Sequence, residues 1–285
     1  MSEHSPRPAL SPVVAGCWRL AEWGWSAPER LRWIEQCLER GVTTFDHADI
    51  YGGYSVEALF GEALALAPHL RARLQLVSKC GIRLVDAARP AHRVKSYDTS
   101  AAHLMASVDN SLRALRTDHL DLLLIHRPDP LMRPGEIADA VARLKAAGKI
   151  LDFGVSNFTM SQFAMLNQWV PLATNQIELS PLHRAPLHDG TLDQMLALDL
   201  RPMIWSPLAG GRLFSGQEPD ALRVRAVLEA VAQRHGVAPA TVAYAWLLRH
   251  PSRPRPIVGS RRLEALDQAL AAQALTLDAE TWHEI

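Results

Sequence analysis

Asp46, Tyr51, Lys79 and His126 are the side chains of this sequence whose types and order could carry a reaction together. A phenol can donate a proton, and an ammonium can stabilise the phenolate left behind. A carboxylate can compensate that ammonium when both are buried, and an imidazole can hydrogen-bond and orient an oxygen. Such a set suits an oxygen that gains negative charge as it reacts, for instance a carbonyl oxygen whose carbon receives hydride. Taken singly, each has an ordinary explanation: a solvated loop residue for Asp46 or Lys79, a packed ring for Tyr51, a rim hydrogen bond for His126. Their common placement argues otherwise, because each ends or follows a short apolar run.

Eight such runs recur: Val13 to Gly16, Val42 to Asp46, Leu74 to Lys79, Leu120 to His126, Ile150 to Ser156, Leu172 to Gln176, Pro202 to Ser206 and Pro256 to Ser260. Helical patterns separate them. Ser26 with Glu29 forms a capping box, Pro28 sits in the first turn, and Gly41 follows the last turn of a helix whose stripe is Leu31, Ile34 and Leu38. Ser55 opens a second helix with Leu59, Phe60 and Leu64. A third spans roughly Thr99 to Leu115, and a fourth carries Ile137, Val141 and Leu144 and stops at Gly148. Further helices are expected around Ser161 to Asn167 and Leu192 to Ala197. After the seventh run, Ala209 to Pro219 reads as a glycine-rich loop, and helical patterns over Leu222 to His235 and Pro239 to Leu248 precede the last run.

The runs Leu74 to Val77 and Leu120 to Ile125 are almost continuously apolar, as in strands covered on both faces. Strands and helices in this alternation predict an α/β (β/α)8 TIM barrel of a single domain, residues 11–285, after a loose tail over residues 1–10. The 285 residues fit one such barrel. In this fold, strand C-terminal ends converge on the working face, which is where the polar residues sit.

Thirty basic and thirty acidic residues cancel, and no like-charge block is present, so nucleic-acid binding is not expected. The three cysteines, Cys17, Cys37 and Cys80, fit neither a disulfide framework nor a zinc site. With no apolar stretch long enough for a membrane span and no signal pattern, the expected location is the cytoplasm and no membrane partner is expected.

The stretch Asp46-His47-Ala48-Asp49-Ile50-Tyr51-Gly52, with Lys79 ending the third strand and His126 the fourth, resembles the aldo-keto reductases. The resemblance covers nearly the whole chain. It includes Gly154 to Phe158, Asn175-Gln176, Trp205 to Leu208 and Ile257 to Ser260, and it is strongest to a branch of bacterial oxidoreductases. It implies reduction of aldehydes or ketones with hydride from NADPH, with Tyr51 as proton donor, Lys79 and Asp46 as its charged supports and His126 orienting the carbonyl.

Hydride requires a cofactor, and no G-x-G-x-x-G motif places one in a Rossmann unit. The resemblance instead implies a nicotinamide dinucleotide laid across the barrel mouth. Ser156, Asn157 and Gln176 would hold the carboxamide, and Trp205 would stack on the ring. Asp46, Gly16, Cys17 and Trp18 would lie at the nicotinamide end, and Ser206, Pro207, Leu208 and Gly210 would cover the pyrophosphate. Gly259, Ser260 and Arg261 would meet the adenosine phosphates. Backbone N–H groups there, opening a helix, form an anion site, and Arg261 or Arg262 suits a 2′-phosphate, which favours NADP over NAD. Against this, Ala265, Gln268 and Ala269 stand where the family carries an arginine, a glutamate and an asparagine.

The expected partner is a small-molecule carbonyl compound, met by Tyr51 and His126, with Trp18, Trp23 and Trp25 as apolar walls. Tyr97 lies in the loop after the third strand. Arg127 either favours an anionic group or pairs with Asp129. Two other readings stay open: a nucleotide-binding sensor or regulatory barrel with little catalysis, and a metal-dependent hydrolase built on Asp46, His47, Asp49 and His126.

Overall fold

The eight apolar runs close into one parallel barrel in a computed structural model, which describes residues 10–285. Along the chain the elements are β1 (Val14–Gly16), α1 (Ala27–Glu39), β2 (Thr44–Asp46), α2 (Tyr51–Tyr54), α3 (Val56–Leu64), β3 (Gln75–Cys80) and a hairpin of β4 (Ile82–Arg83) and β5 (Ser96–Tyr97). Then come α4 (Ala101–Leu115), β6 (Leu120–Ile125), α5 (Pro134–Ala146), β7 (Ile150–Ser156), α6 (Met160–Asn167), β8 (Asn175–Glu178), α7 (Thr191–Ala197) and β9 (Met203–Trp205). The chain continues with α8 (Arg212–Ser215), α9 (Pro219–His235), α10 (Pro239–Leu248), β10 (Arg255–Val258), α11 (Leu263–Ala271) and α12 (Ala279–Glu284). The strand order β1-β10-β9-β8-β7-β6-β3-β2 returns to its start. No barrel strand therefore keeps an open edge.

Local signals set the helix ends. The Ser26 N–H and hydroxyl both donate to the Glu29 carboxylate at 2.7 Å, and Gly41 leaves α1 at φ 75°. The expected start of the third helix shifts by one residue: Ser100 caps α4 by accepting the His103 N–H, while Thr99 is buried and donates to Asp129. The stretch expected as a plain loop after the seventh run contains a tight turn over Ala209–Gly211 and then α8. Leu213, wholly buried, anchors it. Residues 1–9 of the expected tail lie outside the described residues, whereas Leu10 is already packed against the barrel interior.

Two apolar compartments result. Leu10, Val14, Val77, Leu122, Leu124, Met203 and Ile257 fill the barrel, and a larger cluster lies between strands and helices, including Phe45, Leu76, Leu123 and Val155. The split follows from the period of two along each strand. Among the described residues no helix is long and apolar enough to cross a membrane.

Helices α3 and α4 approach so closely that a methyl group at Gly61 would lie 2.0 Å from the Ala114 carbonyl oxygen. That neighbour is backbone and cannot swing aside. Gly61→Ala is therefore expected to destabilise the fold by roughly 1–3 kcal/mol, seen as a lower urea midpoint at unchanged slope. An unchanged midpoint would contradict the close approach.

Candidate active site

Strand alternation stacks a polar layer on the apolar filling of the barrel. Two residues beyond Val14, Val77, Leu124, Met203 and Ile257 come Gly16, Lys79, His126, Trp205 and Gly259, each pointing to the same side of its strand as its predecessor. Asp46, Ser156 and Gln176 join them from β2, β7 and β8.

Lys79 is the centre of this layer and is buried. Its Nζ donates to Asp46 Oδ2 at 2.7 Å, to the His47 carbonyl at 2.8 Å and to Tyr51 Oη at 3.0 Å. An ammonium has three hydrogens, and all three are used. Asp46 Oδ1 accepts from Gln176 Nε2 at 2.8 Å, which ties the opposite wall of the barrel into the network. Tyr51 reaches the layer from the loop after β2, where Gly52 and Gly53 adopt φ 57° and 63°. A Cβ on Gly52 would meet Ser55 Oγ and Val56 Cγ2 at 2.9 Å. Only glycine allows that turn without strain.

Burial would discharge Lys79, but Asp46 and Tyr51 outweigh it and hold its pKa above the ordinary range. Burial pushes the Tyr51 phenol above its usual value, against the opposing pull of Lys79. An ammonium able to stabilise the phenolate therefore does not make the resting phenol more acidic: desolvation and the nearby Asp46 charge exceed its effect. His126 packs edge-on to Tyr51, ring centroids 5.8 Å apart. Burial, followed by the Lys79, Arg127 and Lys95 charges, drives its pKa well down, so the imidazole is neutral. Its Nδ1 is buried without a hydrogen-bond partner among the described residues.

Beside this cluster, Ser156 Oγ donates to the Gln176 carbonyl, Asn157 Nδ2 to Ser156 Oγ, and Trp205 Nε1 to Asn157 Oδ1 at 3.0 Å. Asn157 enters the mouth through φ 58°. Gln176 Oε1 keeps an acceptor without a partner among the described residues, and Trp205 is half-buried with its ring at the mouth. Around the rim, Cβ atoms on Gly210 or Gly211 would meet nothing within 4 Å, and one on Gly259 would meet only the Gly16 carbonyl oxygen at 4.0 Å. Bare backbone at the rim, a stackable ring and free amide capacity fit a flat dinucleotide. Ser206 and Leu208 are half-buried on the same rim, while Arg261 and Arg262 are exposed and enter no ion pair among the described residues.

Several expected residues are placed differently. Cys17 turns its thiol into the helix-side core and spends its N–H on the Asp46 carbonyl, so it presents no side chain to the mouth. Pro207 is buried. Trp23 packs on Trp25 and on Trp33 of α1, at 4.8 and 5.2 Å, which leaves Trp18 as the tryptophan of that loop beside Tyr51, at 6.4 Å. Ala269 is buried and Ala265 half-buried, so neither offers a polar atom to an adenosine. Arg127 does not pair with Asp129, whose carboxylate is taken by Thr99 and the Leu131 N–H. His47 packs its ring against Phe60 of α3, outside the barrel, where burial and Lys79 lower its pKa to about 3. Asp49 lies beside Glu57 on that outer side.

Two residues have supporting roles that the sequence reading did not assign, Glu57 and Asn175. Glu57 on α3 accepts a short hydrogen bond of 2.5 Å from Ser78 and so braces the residue before Lys79 from behind. Asn175 clamps the turn after β7 through both the N–H and the carbonyl of Phe158. The outward parity of Ser78, one residue from inward Lys79, was the available signal for the first.

The comparisons agree with this geometry. The Aldo/keto reductase family model matches residues 12–285. The oxidoreductase YcsN of Bacillus subtilis is 50% identical over 97% of this chain and 93% of its own. Oxidoreductase YdhF of Escherichia coli is 50% identical over 98% and 93%. A crystal structure of an aldo/keto reductase from Klebsiella pneumoniae in complex with NADP and acetate superposes with a TM-score of 0.80 at 27% identity, covering 96% of this chain and 90% of that one. A closed parallel barrel, a buried lysine holding a tyrosine at its mouth and a family match over nearly every described residue lead to one conclusion: the chain belongs to the aldo/keto reductase family, whose activity is carbonyl reduction with NADP(H).

Proposed function

We propose that Tyr51, Lys79, Asp46 and His126 are the catalytic residues and that NADPH is the preferred hydride source. The observation that carries this reading is the three-way contact of the buried Lys79 ammonium with Asp46, the His47 carbonyl and Tyr51. When bound, the nicotinamide supplies hydride to the carbonyl carbon. Tyr51 holds a proton at Oη, and the carbonyl oxygen takes that proton as its charge develops. Lys79 stabilises the phenolate only as it forms, and Asp46 keeps Lys79 charged in a buried place. Neutral His126 donates a hydrogen bond to the same oxygen and sets its direction.

Ser156, Asn157 and Gln176 would hold the carboxamide and Trp205 the ring face. The bare backbone of Gly210 and Gly259 would let the phosphates approach. Ser260 lies just ahead of α11, where free N–H groups favour an anion. Arg261 and Arg262, exposed and in no ion pair among the described residues, support a 2′-phosphate contact and hence NADPH over NADH. The three cysteines are buried as free thiols, which supports a reducing, cytoplasmic location.

Tyr51→Phe is expected to cut kcat for aldehyde reduction by about 10²–10⁴-fold while leaving NADPH binding in place, read by NADPH absorbance and by tryptophan fluorescence. Undiminished turnover would remove Tyr51 from its role. Because the phenol pKa is raised and the His126 pKa lowered, neither group titrates near neutrality. The reductive kcat should therefore be flat from about pH 6 to about pH 9 and fall only as the phenol ionises at still higher pH. Alcohol oxidation needs the phenolate and should rise with pH instead. A reductive rate that drops through pH 7 would contradict this assignment. Arg261→Ala should weaken NADPH by roughly tenfold or more with little change for NADH, measured by fluorescence titration. Equal effects on both would assign the arginine no phosphate.

A further inference from the structure

Arg127 follows His126 out of β6 and stands half-buried at the barrel mouth. Its guanidinium lies 5.6 Å from the Trp205 ring centroid, and Nη1 donates to the His126 carbonyl at 3.3 Å. These contacts hold the side chain over the reacting layer while satisfying one of its five N–H donors. No carboxylate lies within ion-pair distance of it among the described residues: Asp129 is occupied by Thr99 and the Leu131 N–H, and Glu178 acts on it only through its charge. Its charge is felt at both groups assigned to the carbonyl oxygen, raising the cost of protonating His126 and sensing the Tyr51 oxygen. Lys95, from the hairpin loop, adds a second cation acting on His126.

A preorganised guanidinium with most of its donors unpaired among the described residues, beside a hydride-accepting site, is an unfinished ion pair. Arginine's planar fork matches carboxylate and phosphate oxygens, and a partly desolvated position strengthens the contact. We infer that Arg127 determines the substrate class: its guanidinium binds an oxyanion, carboxylate or phosphate, carried by the same molecule whose carbonyl faces Tyr51 and His126. The inference rests on the assignment of that site under Proposed function. Trp18, mostly exposed with its ring 6.4 Å from Tyr51, offers an apolar face beside the same hydroxyl, so the spacer between carbonyl and anion can be hydrocarbon.

Two matched pairs of aldehydes test it on the full chain with NADPH: succinic semialdehyde against butanal for a carboxylate, and glyceraldehyde 3-phosphate against glyceraldehyde for a phosphate. The wild-type enzyme should prefer the charged member of at least one pair by roughly tenfold or more in kcat/KM. Arg127→Gln should abolish that preference, and Arg127→Lys, which keeps the charge, should give an intermediate ratio. Ratios that are the same in the wild type and in Arg127→Gln would overturn the inference. So would a loss in Arg127→Gln that falls on glyceraldehyde relative to butanal, since the guanidinium would then be a donor to neutral hydroxyls. If no aldehyde in the panel oxidises NADPH, the reaction assignment fails by itself. The oxyanion site is then decided by succinate quenching of tryptophan fluorescence, which should weaken about tenfold in Arg127→Gln. Equal quenching in both proteins would end the proposal.

Discussion

The structure is organised around one buried ammonium. An uncompensated charge at the position of Lys79 would cost several kcal/mol, and the Asp46 carboxylate 2.7 Å away is what makes it tolerable. Because the three hydrogens of Nζ are divided among a carboxylate, a main-chain carbonyl and a phenol, the lysine cannot turn without orphaning one of them. Tyr51 is thereby fixed from the side of its oxygen. Its backbone is fixed separately by the Gly52–Gly53 turn, so two independent constraints meet on one hydroxyl. Asp46 extends the same rigidity to Gln176, making the charge network a brace between β2, β3 and β8.

Barrel geometry supplies the rest of the positioning through parity. In a strand, the residue two steps beyond an interior apolar side chain points the same way, so Val77, Leu124 and Met203 are followed at the mouth by Lys79, His126 and Trp205. The alternate parity is used as well. Ser78 faces outward to Glu57, and His47 faces outward to Phe60, so the helices bear on the residues flanking Lys79 and Asp46 from behind. The site is therefore shaped by the same packing that holds α3 to the barrel.

Much of this is legible in the sequence because it depends on periodicity. The eight runs and the inward residues at their ends, Asp46, Lys79 and His126 among them, follow from spacing; the resemblance adds Tyr51, and the barrel brings Asp46, Lys79 and Tyr51 into contact. Parity also held the signal that Cys17 points outward, since Gly16 before it points inward. What could not be read is what packing and solvent decide. Trp23 is claimed by the edges of Trp25 and Trp33 rather than by the mouth. The turn at Asn157, with its left-handed backbone, returns an otherwise outward residue to the rim. Leu10 joins the barrel interior although it follows a polar, proline-bearing segment. The balance at Tyr51 is the deepest case: types and order reveal that an ammonium is near, but only the depth of burial determines that the phenol ends less acidic than in water.

That balance has a mechanistic meaning. A phenol with a raised pKa is a weaker acid, yet the alkoxide formed by hydride transfer is far more basic than any phenolate, so the proton transfer stays downhill. In the proposed mechanism, what the high pKa secures is that the proton would be present on Tyr51 whenever a carbonyl arrives. The stabilisation by Lys79, exceeded by burial while the phenol is neutral, acts in full once charge appears on the oxygen, because a desolvated ammonium 3.0 Å away interacts strongly with an anion and weakly with a neutral hydroxyl. The interaction is thus larger in the transition state than in the resting enzyme, which is the condition for it to accelerate the reaction instead of merely tightening binding. Neutral His126 fits the proposed mechanism: an imidazolium beside Lys79 would be costly at rest, whereas a neutral donor would orient the carbonyl and leave the changing charge to the buried lysine.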